Sequence, residues 1–153
     1  MISKKKSISL GWFRIFYVYG PGQKVTSLIP SVLNHLKDGQ LPDIKTLHNA
    51  NDYIFIDDVI DAFSIATNNI FESGIYNLGT GKSTSVLEVC RLAEKISLNT
   101  SSLTRKIELE SKNSIPNVNF WAGLSSSQIH LKWSPKIDLA DGINQTWNYI
   151  KSK

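Results

Sequence analysis

Residues 12–19 read Trp-Phe-Arg-Ile-Phe-Tyr-Val-Tyr, and Gly20-Pro21-Gly22 follows at once. Aromatic and β-branched residues fill this run almost without interruption. Such a pattern belongs to a strand covered on both faces rather than one that wets one side. The Gly-Pro-Gly turn ends it, because proline cannot donate to a ladder and glycine accepts the backbone angles of a tight turn. A strand of this kind sits in a parallel sheet, so helices are expected on either side of it.

The downstream pattern supplies them. Ser27–Lys37 places Leu28, Ile29, Val32, Leu33 and Leu36 on one helical face, with Gly39 just beyond. Tyr53–Ile56 is a short apolar run. A helix follows it, with Asp57 or Asp58 expected as N-cap and Ile60, Phe63 and Ala66 turned inward. Gly74–Leu78 reads as a strand closed by Gly79-Thr80-Gly81. Ser85-x-x-Glu88 has the form of a capping box and opens a helix to about Ile96. Thr104–Leu109 alternates and reads as a strand, and 113–119 as a loop around Pro116. Leu139, Ile143, Trp147 and Ile150 recur at helical spacing after an Asp138 cap. Alternating strands and helices imply an α/β fold with a partly parallel sheet.

Composition narrows the function classes. Of the 153 residues 41% are apolar and 20% charged, enough for a packed core. No apolar run approaches the ~20 residues needed to cross a bilayer. The net charge of +4 resides in the first 14 residues, which hold Lys4, Lys5, Lys6 and Arg14 and no acid. The remaining 139 balance 13 basic against 13 acidic residues. A basic face suited to nucleic acid is therefore not expected, nor is membrane attachment, and Lys4–Lys6 read as a solvated terminus. Arg14 interrupts the one stretch that imitates a signal peptide, so a cytoplasmic protein is expected. Cys90 is the single cysteine, and His35, His48 and His130 are scattered, which excludes a structural zinc site.

Several motifs imitate chemistry. Gly79-Thr-Gly-Lys-Ser83 lies between a strand and a helix, but the leading glycine that a P-loop needs falls on Tyr76. A dinucleotide Gly-x-Gly-x-x-Gly fails as well, at Thr84. A tight turn remains, at a helix N-terminus that is able to attract an anion. Tyr149 and Lys153 have the Tyr-x-x-x-Lys spacing of a proton-transfer pair, at a terminus where helices fray. Asp57, Asp58 and Asp61 are explained as cap and first-turn charges. Cys90 falls on an apolar helical face, as a core residue does. The residues alone describe an α/β body with no catalytic constellation.

Five segments in order resemble the C-terminal half of the extended short-chain dehydrogenase/reductases, the NAD-dependent sugar-nucleotide epimerase/dehydratase family. Arg14-Ile-Phe-Tyr-Val-Tyr-Gly-Pro-Gly-Gln23 is similar to the family's Arg-x-Phe-Asn-Val-Tyr-Gly-Pro strand and turn. Ser27-Leu-Ile-Pro30 resembles its Leu-Ile-Pro helix entry. Asn51-Asp-Tyr-Ile-Phe-Ile-Asp-Asp-Val59 resembles Arg-Asp-Phe-Ile-x-Val-Asp-Asp-Val, and Gly74–Gly81 resembles a Tyr-Asn-Leu-Gly-x-Gly strand end. Leu131-Lys-Trp-Ser-Pro135 resembles its Leu-Gly-Trp-x-Pro ending.

The resemblance implies the C-terminal portion of a Rossmann-like doubly wound sheet plus the small substrate-binding α/β domain, over residues 12–153. Residues 1–11 would be a basic, flexible N-terminus, and the dinucleotide-binding part would be absent. The family's Gly-rich loop and catalytic Tyr-x-x-x-Lys precede the Trp12 strand, so no catalytic residue is assigned and the chain by itself is expected to be an inactive, substrate-side fragment. The implied cofactor is NAD or NADP, with Tyr19, Gly20 and Pro21 beside it. The implied ligand is a nucleotide-sugar, met by Tyr17, Ser27, Leu28, Asn51 and Asp52. A separately encoded N-terminal half, or a second copy of the chain, is the implied macromolecular partner, and a non-catalytic pairing module is the alternative.

Departures from the family pattern leave the sugar nucleotide open. Tyr17 stands where the family has Asn, Asn51 where it has Arg, and Gly123 where it has Asp. A second family Arg would fall near Ile115-Pro116, where there is none. Lys24, Lys45 and Lys112 are the candidates to replace the lost charge on a diphosphate.

Overall fold

In the computed structural model, residues 8–110 and 119–153 are described, Glu110 through its backbone alone. The Lys4–Lys6 cluster, Lys112 and the loop at 113–118 lie outside the described residues. In chain order the elements are β1 (Gly11–Ile15), β2 (Tyr17–Tyr19), α1 (Leu28–Lys37), β3 (Ala50–Asn51), β4 (Tyr53–Phe55) and α2 (Ile56–Asn68). They continue with β5 (Gly74–Leu78), β6 (Thr84–Ser85), α3 (Val86–Leu98), α4 (Ser102–Glu110), α5 (Ser125–Ile129) and α6 (Leu139–Lys151).

The Trp12–Tyr19 run forms two strands that change partners at Phe16. β1 pairs in parallel with β5, Gly11 opposite Gly74 through Ile15 opposite Leu78. β2 pairs in parallel with β4, Tyr17 opposite Tyr53 through Tyr19 opposite Phe55. Phe16 donates its N–H to Leu78 O at 2.9 Å, and Tyr17 donates to Asp52 O at 3.0 Å. The backbone thus moves from one ladder to the other without an unpaired donor. β3 and β6 form a small antiparallel pair, Ala50 opposite Ser85 and Asn51 opposite Thr84.

Period-two alternation along β4 separates two cores. Tyr53 and Phe55 join Tyr19 and the inner faces of α1, α3 and α6, including Leu33, Val89 and Ile143. Ile54 faces the other way, into a cluster with Val59, Ala62, Tyr76, Leu78 and Trp133. α1 buries Ile29, Val32, Leu33 and Leu36, as its sequence spacing predicts. Pro30 fits because a first-turn N–H has no intrahelical partner to lose. α6 starts at an Asp138 cap, whose carboxylate accepts from Asp141 N at 2.8 Å. Inside α6, Gly142 lies directly against the Tyr19 hydroxyl and the Phe55 ring, leaving no room for a side chain.

Three sequence expectations are corrected. Residues 104–109 belong to helix α4, not to a strand. The fully buried Glu94 of α3 accepts from Leu103 N and Thr104 N at 2.9 Å each, and from Thr104 Oγ1 at 2.7 Å. A carboxylate from the neighbouring helix thus caps α4, and Arg91–Glu108 at 2.5 Å adds an ion pair.

Asp57 and Asp58 do not cap α2, whose N-cap position is Phe55 and has no side-chain cap. Asp58 is buried and reaches across the fold instead, accepting from Lys136 N at 2.9 Å and Ile137 N at 3.0 Å. α2 is also rotated from its expected face: Val59 and Ala62 are buried, while Ile60 is exposed. The Ser85 capping box is realised through one bond, Glu88 N to Ser85 Oγ at 3.1 Å.

One face of the β1–β5 pair is covered. Phe13 and Tyr76, opposite each other in register, stack at 5.7 Å, and Phe13 meets Phe63 of α2 at 5.0 Å. On the other face Trp12 and its register partner Ile75 are 69% and 49% exposed, and Leu10 and Ile8 before them 75% and 88%. Among the described residues β1 pairs along one edge only.

Candidate functional site

A cavity of about 240 Å³ opens between β2, the start of β4 and the start of α1. Its wall gathers Tyr17, Val18 and Tyr19 from the strand, Ser27, Leu28 and Ile29 from the helix entry, and Tyr53 and Gln23. Four of the residues singled out in the sequence, Tyr17, Tyr19, Ser27 and Leu28, therefore meet in one place. The strand and the helix entry are brought together by the Gly20–Gln23 turn. Gly20 has φ +152°, and a Cβ there would lie 2.6 Å from Ile56 Cγ2, so only glycine fits. Gln23 closes the turn by donating Nε2–H to Val18 O at 2.8 Å.

Aromatic rings extend the wall. Tyr17 lies 5.9 Å from Tyr53 and 6.0 Å from Phe120 between ring centroids, and Phe120 lies 5.8 Å from Phe16. Tyr17 is half exposed, and Phe120 is exposed beside it. Burial raises the phenol pKa of both Tyr53 and Tyr19. For Tyr19 the carboxylates of Asp138, Asp58 and Asp141 push in the same direction. The Tyr19 hydroxyl donates to Leu139 O at 3.3 Å, and that of Tyr53 accepts from Asn51 Nδ2 at 3.3 Å. Both phenols are neutral structural groups. Tyr53 and Gln23 are lining residues that the sequence does not single out, and Phe120 touches Tyr17 from outside the lining. Tyr53 sits inside a quoted motif, whereas nothing local marks Phe120.

The other singled-out residues lie elsewhere. Asn51 is buried behind Tyr53. Pro21 is exposed on the turn, and Gly20 faces a second cavity, of about 160 Å³, with Tyr149 and Lys153 on its rim. Lys153 Nζ lies over the Tyr149 ring, 5.3 Å from its centroid, in a cation–π contact. Asp52 is fully buried. Its Oδ1 accepts from Thr80 N at 2.7 Å and Thr80 Oγ1 at 2.6 Å, and its Oδ2 from Gly81 N at 2.9 Å and Ala122 N at 3.0 Å. What Asp52 provides is the position of the Thr80-Gly81 turn.

The same bonds settle what the Gly-Thr-Gly-Lys-Ser loop does. Its amides at Thr80 and Gly81 are spent on Asp52, and Lys82 N is held by Thr80 Oγ1 at 3.3 Å. The first amides of α3 are engaged too: Val86 N with Asn49 O, Leu87 N with Leu47 O, and Glu88 N with Ser85 Oγ. The expectation of an anion-attracting helix end is therefore corrected, because no free donor fan remains there. A dinucleotide needs such a fan for its pyrophosphate. The Gly79–Ser83 loop and the start of α3 do not fit one. No helix among the described residues is long and apolar enough to cross a membrane.

Comparison with known proteins accords with this geometry. Residues 2–79 match the model of the NAD dependent epimerase/dehydratase family. The chain is 30% identical over 154 aligned residues to a dTDP-4-dehydro-6-deoxyglucose reductase of Escherichia coli, covering 97% of this chain and 46% of that protein. It is 33% identical over 84 residues to a CDP-abequose synthase of Salmonella muenchen, covering 54% of this chain and 29% of that one. Its fold is similar to the crystal structure of a UDP-glucuronic acid 4-epimerase from Bacillus cereus solved with UDP-glucuronic acid and NAD. There the TM-score is 0.72 at 27% identity, over 92% of this chain and 44% of that one. The chain thus spans about half the length, or less, of the proteins it matches. With a partial Rossmann-like α/β fold, five motifs in family order and a family match over residues 2–79, the chain belongs to the NAD-dependent epimerase/dehydratase family of extended short-chain dehydrogenase/reductases.

Proposed function

We propose that this chain is the substrate-side portion of a nucleotide-sugar epimerase, dehydratase or reductase. The observation that carries this reading is the single cavity in which strand β2 and the entry of α1 place Tyr17, Ser27 and Leu28 together. In the proposed arrangement these residues receive the sugar nucleotide, with Asn51 orienting Tyr53 behind them. The Tyr19-Gly20-Pro21 turn forms the wall toward the nicotinamide of NAD or NADP. Asp52 acts at one remove, by fixing the Thr80-Gly81 turn. The hydride chemistry of the family is the cofactor's. This chain's residues bind, orient and exclude water.

One relative named above is a dTDP-4-dehydro-6-deoxyglucose reductase, which makes a nucleotide-sugar of that kind the first to try. The test is titration of the chain with UDP-, dTDP-, CDP- and GDP-sugars, with and without NAD, followed by an assay for turnover. Binding of at least one sugar nucleotide without turnover is the expected result. Turnover by the chain alone would show that it is more than a substrate-side portion.

A second reading, a pairing module for a separately encoded dinucleotide-binding half, is favoured by the uncovered face of the β1–β5 pair. It predicts that a polypeptide carrying the Gly-rich loop and Tyr-x-x-x-Lys co-purifies with this chain. A reading frame for such a half beside this one would favour it.

A further inference from the structure

We infer that the open cavity between the Gly79–Ser83 loop and the 119–121 segment is a second ligand site, one that takes a mononucleotide with its base on Trp121 and its phosphate on Lys82. The cavity measures about 730 Å³, within the ~300–1,000 Å³ of small-molecule sites, and its lining includes His48, Lys82, Ser83 and Trp121. It backs onto the β3–β6 pair from the side away from the cavity at Tyr17. Ala50 and Ser85, opposite each other in register, line it, whereas Asn51, the next residue of β3, reaches Tyr53 in the other wall. Phe120 and Trp121 divide in the same way, Phe120 against Tyr17 and Trp121 here.

The side chains specify the ligand. Trp121 is 57% exposed, and an uncovered indole face is a stacking platform for any nucleobase. Lys82 is exposed, and its ammonium has no ion-pair partner among the described residues. No described residue lining the cavity is acidic, so nothing there competes with an anion for that charge. The loop amides are spent on Asp52, which leaves the Lys82 side chain as the anchor and suits a single phosphate rather than a pyrophosphate. His48 Nε2 is buried with no hydrogen-bond partner among the described residues, an unsatisfied polar atom beside the same cavity.

One buried carboxylate positions both anchors. Asp52 accepts from Thr80 N at 2.7 Å and Gly81 N at 2.9 Å, next to Lys82, and from Ala122 N at 3.0 Å, next to Trp121. Ser83 Oγ donates to Asn119 Oδ1 at 2.6 Å and ties the same two segments a second time. The loop and the aromatic segment are thus held together before a ligand arrives, which lowers the ordering cost of binding.

The probes are AMP and UMP, with adenosine, uridine and ribose 5-phosphate as halves of the same ligand. Titration of the full chain is followed by calorimetry and by amide and indole N–H shifts. Both mononucleotides are expected to bind at least about fivefold more tightly than either half, with shifts centred on Gly81, Lys82, Ser83 and the Trp121 indole. Trp121→Ala should weaken AMP at least about fivefold, the lower end of what a base–aromatic contact is worth. Lys82→Gln should weaken it too and flatten its salt dependence. Both positions are exposed, and the shifts of the unaltered chain test the site if a variant fails to fold. Tyr17→Asn should leave AMP binding unchanged. No binding of AMP or UMP, equal binding of either half, or shifts centred on Tyr17 and Ser27 overturns this inference. The nucleotide-sugar reading stands or falls separately, on the titrations with sugar esters.

Discussion

The Asp52 carboxylate grips Thr80 twice, through the backbone N–H at 2.7 Å and the hydroxyl at 2.6 Å. The two residues are 28 positions apart in sequence, and their contact ties the β4 entry to the turn after β5. Removing the carboxylate leaves the Thr80, Gly81 and Ala122 amides without their acceptor in a buried place. Asp52→Ala is therefore expected to cost about 3 kcal/mol or more, since each orphaned buried donor costs roughly 1–3 kcal/mol. The midpoint of urea unfolding reads this directly. A loss below about 1 kcal/mol would mean that water reaches the site and replaces the carboxylate.

The Glu94 contact with α4 predicts a more local loss. Glu94→Ala deprives Leu103 N, Thr104 N and Thr104 Oγ1 of their acceptor. Arg91–Glu108 is exposed, and water screens a surface ion pair too strongly for it to hold α4 by itself. The expected outcome is faster amide exchange across 102–110 and reduced helical circular dichroism, with α1 and α6 still protected. Unchanged exchange in α4 would show that its packing on α3 suffices.

Alkaline pH should weaken the fold. Burial, with Glu94 adding to it, pushes the Cys90 thiol from 9.0 up to about 12, and burial raises Tyr19 above its ordinary 10.0. Between about pH 9 and 12 the unfolded chain has released protons that the folded chain still holds. The unfolded state then binds fewer protons, and stability falls as pH rises. Below pH 9 these two groups contribute no slope. Urea midpoints at pH 8 and pH 10.5 test the sign, and Cys90→Ala should flatten part of the decline. A midpoint that rises with pH contradicts the assignment.

The uncovered face of β1–β5 predicts self-association of the purified chain. Burying a side chain such as Trp12, Leu10 or Ile75 is worth roughly 1.5–3 kcal/mol each, a large share of a domain's ~5–15 kcal/mol. Sedimentation should show oligomers at high concentration, and Trp12→Lys should shift them toward monomer. A clean monomer with a sharp, cooperative melt at high concentration would rule this out.

The helices α1, α3 and α6 were legible because each has a full apolar stripe at a spacing that one core absorbs. The Gly20 turn was legible too, since glycine and proline announce themselves locally. What escaped depended on partners far along the chain. Residues 104–109 alternate like a strand, yet Glu94 decides for a helix from outside the segment. Asp58 has the position of a cap, yet its partners Lys136 and Ile137 lie 78 and 79 residues away. The gathering of Tyr17, Ser27 and Leu28 was expected from family resemblance, while Phe120 reaches Tyr17 from a stretch with no motif of its own.

The partner change at Phe16 restricts how this chain can vary in length. Side chains along a strand alternate faces with a period of two, and here a single residue separates the β5 ladder from the β4 ladder. One residue inserted or deleted between Ile15 and Tyr17 would leave Trp12 and Phe13 in register while turning Tyr17, Val18 and Tyr19 over. Tyr19 would leave its place beside Gly142, and Tyr17 would leave its place beside Phe120. Substitutions can be absorbed across this junction, but an indel there exchanges the face of β2 that carries Tyr17 and Tyr19 for the face that carries Val18 in one step.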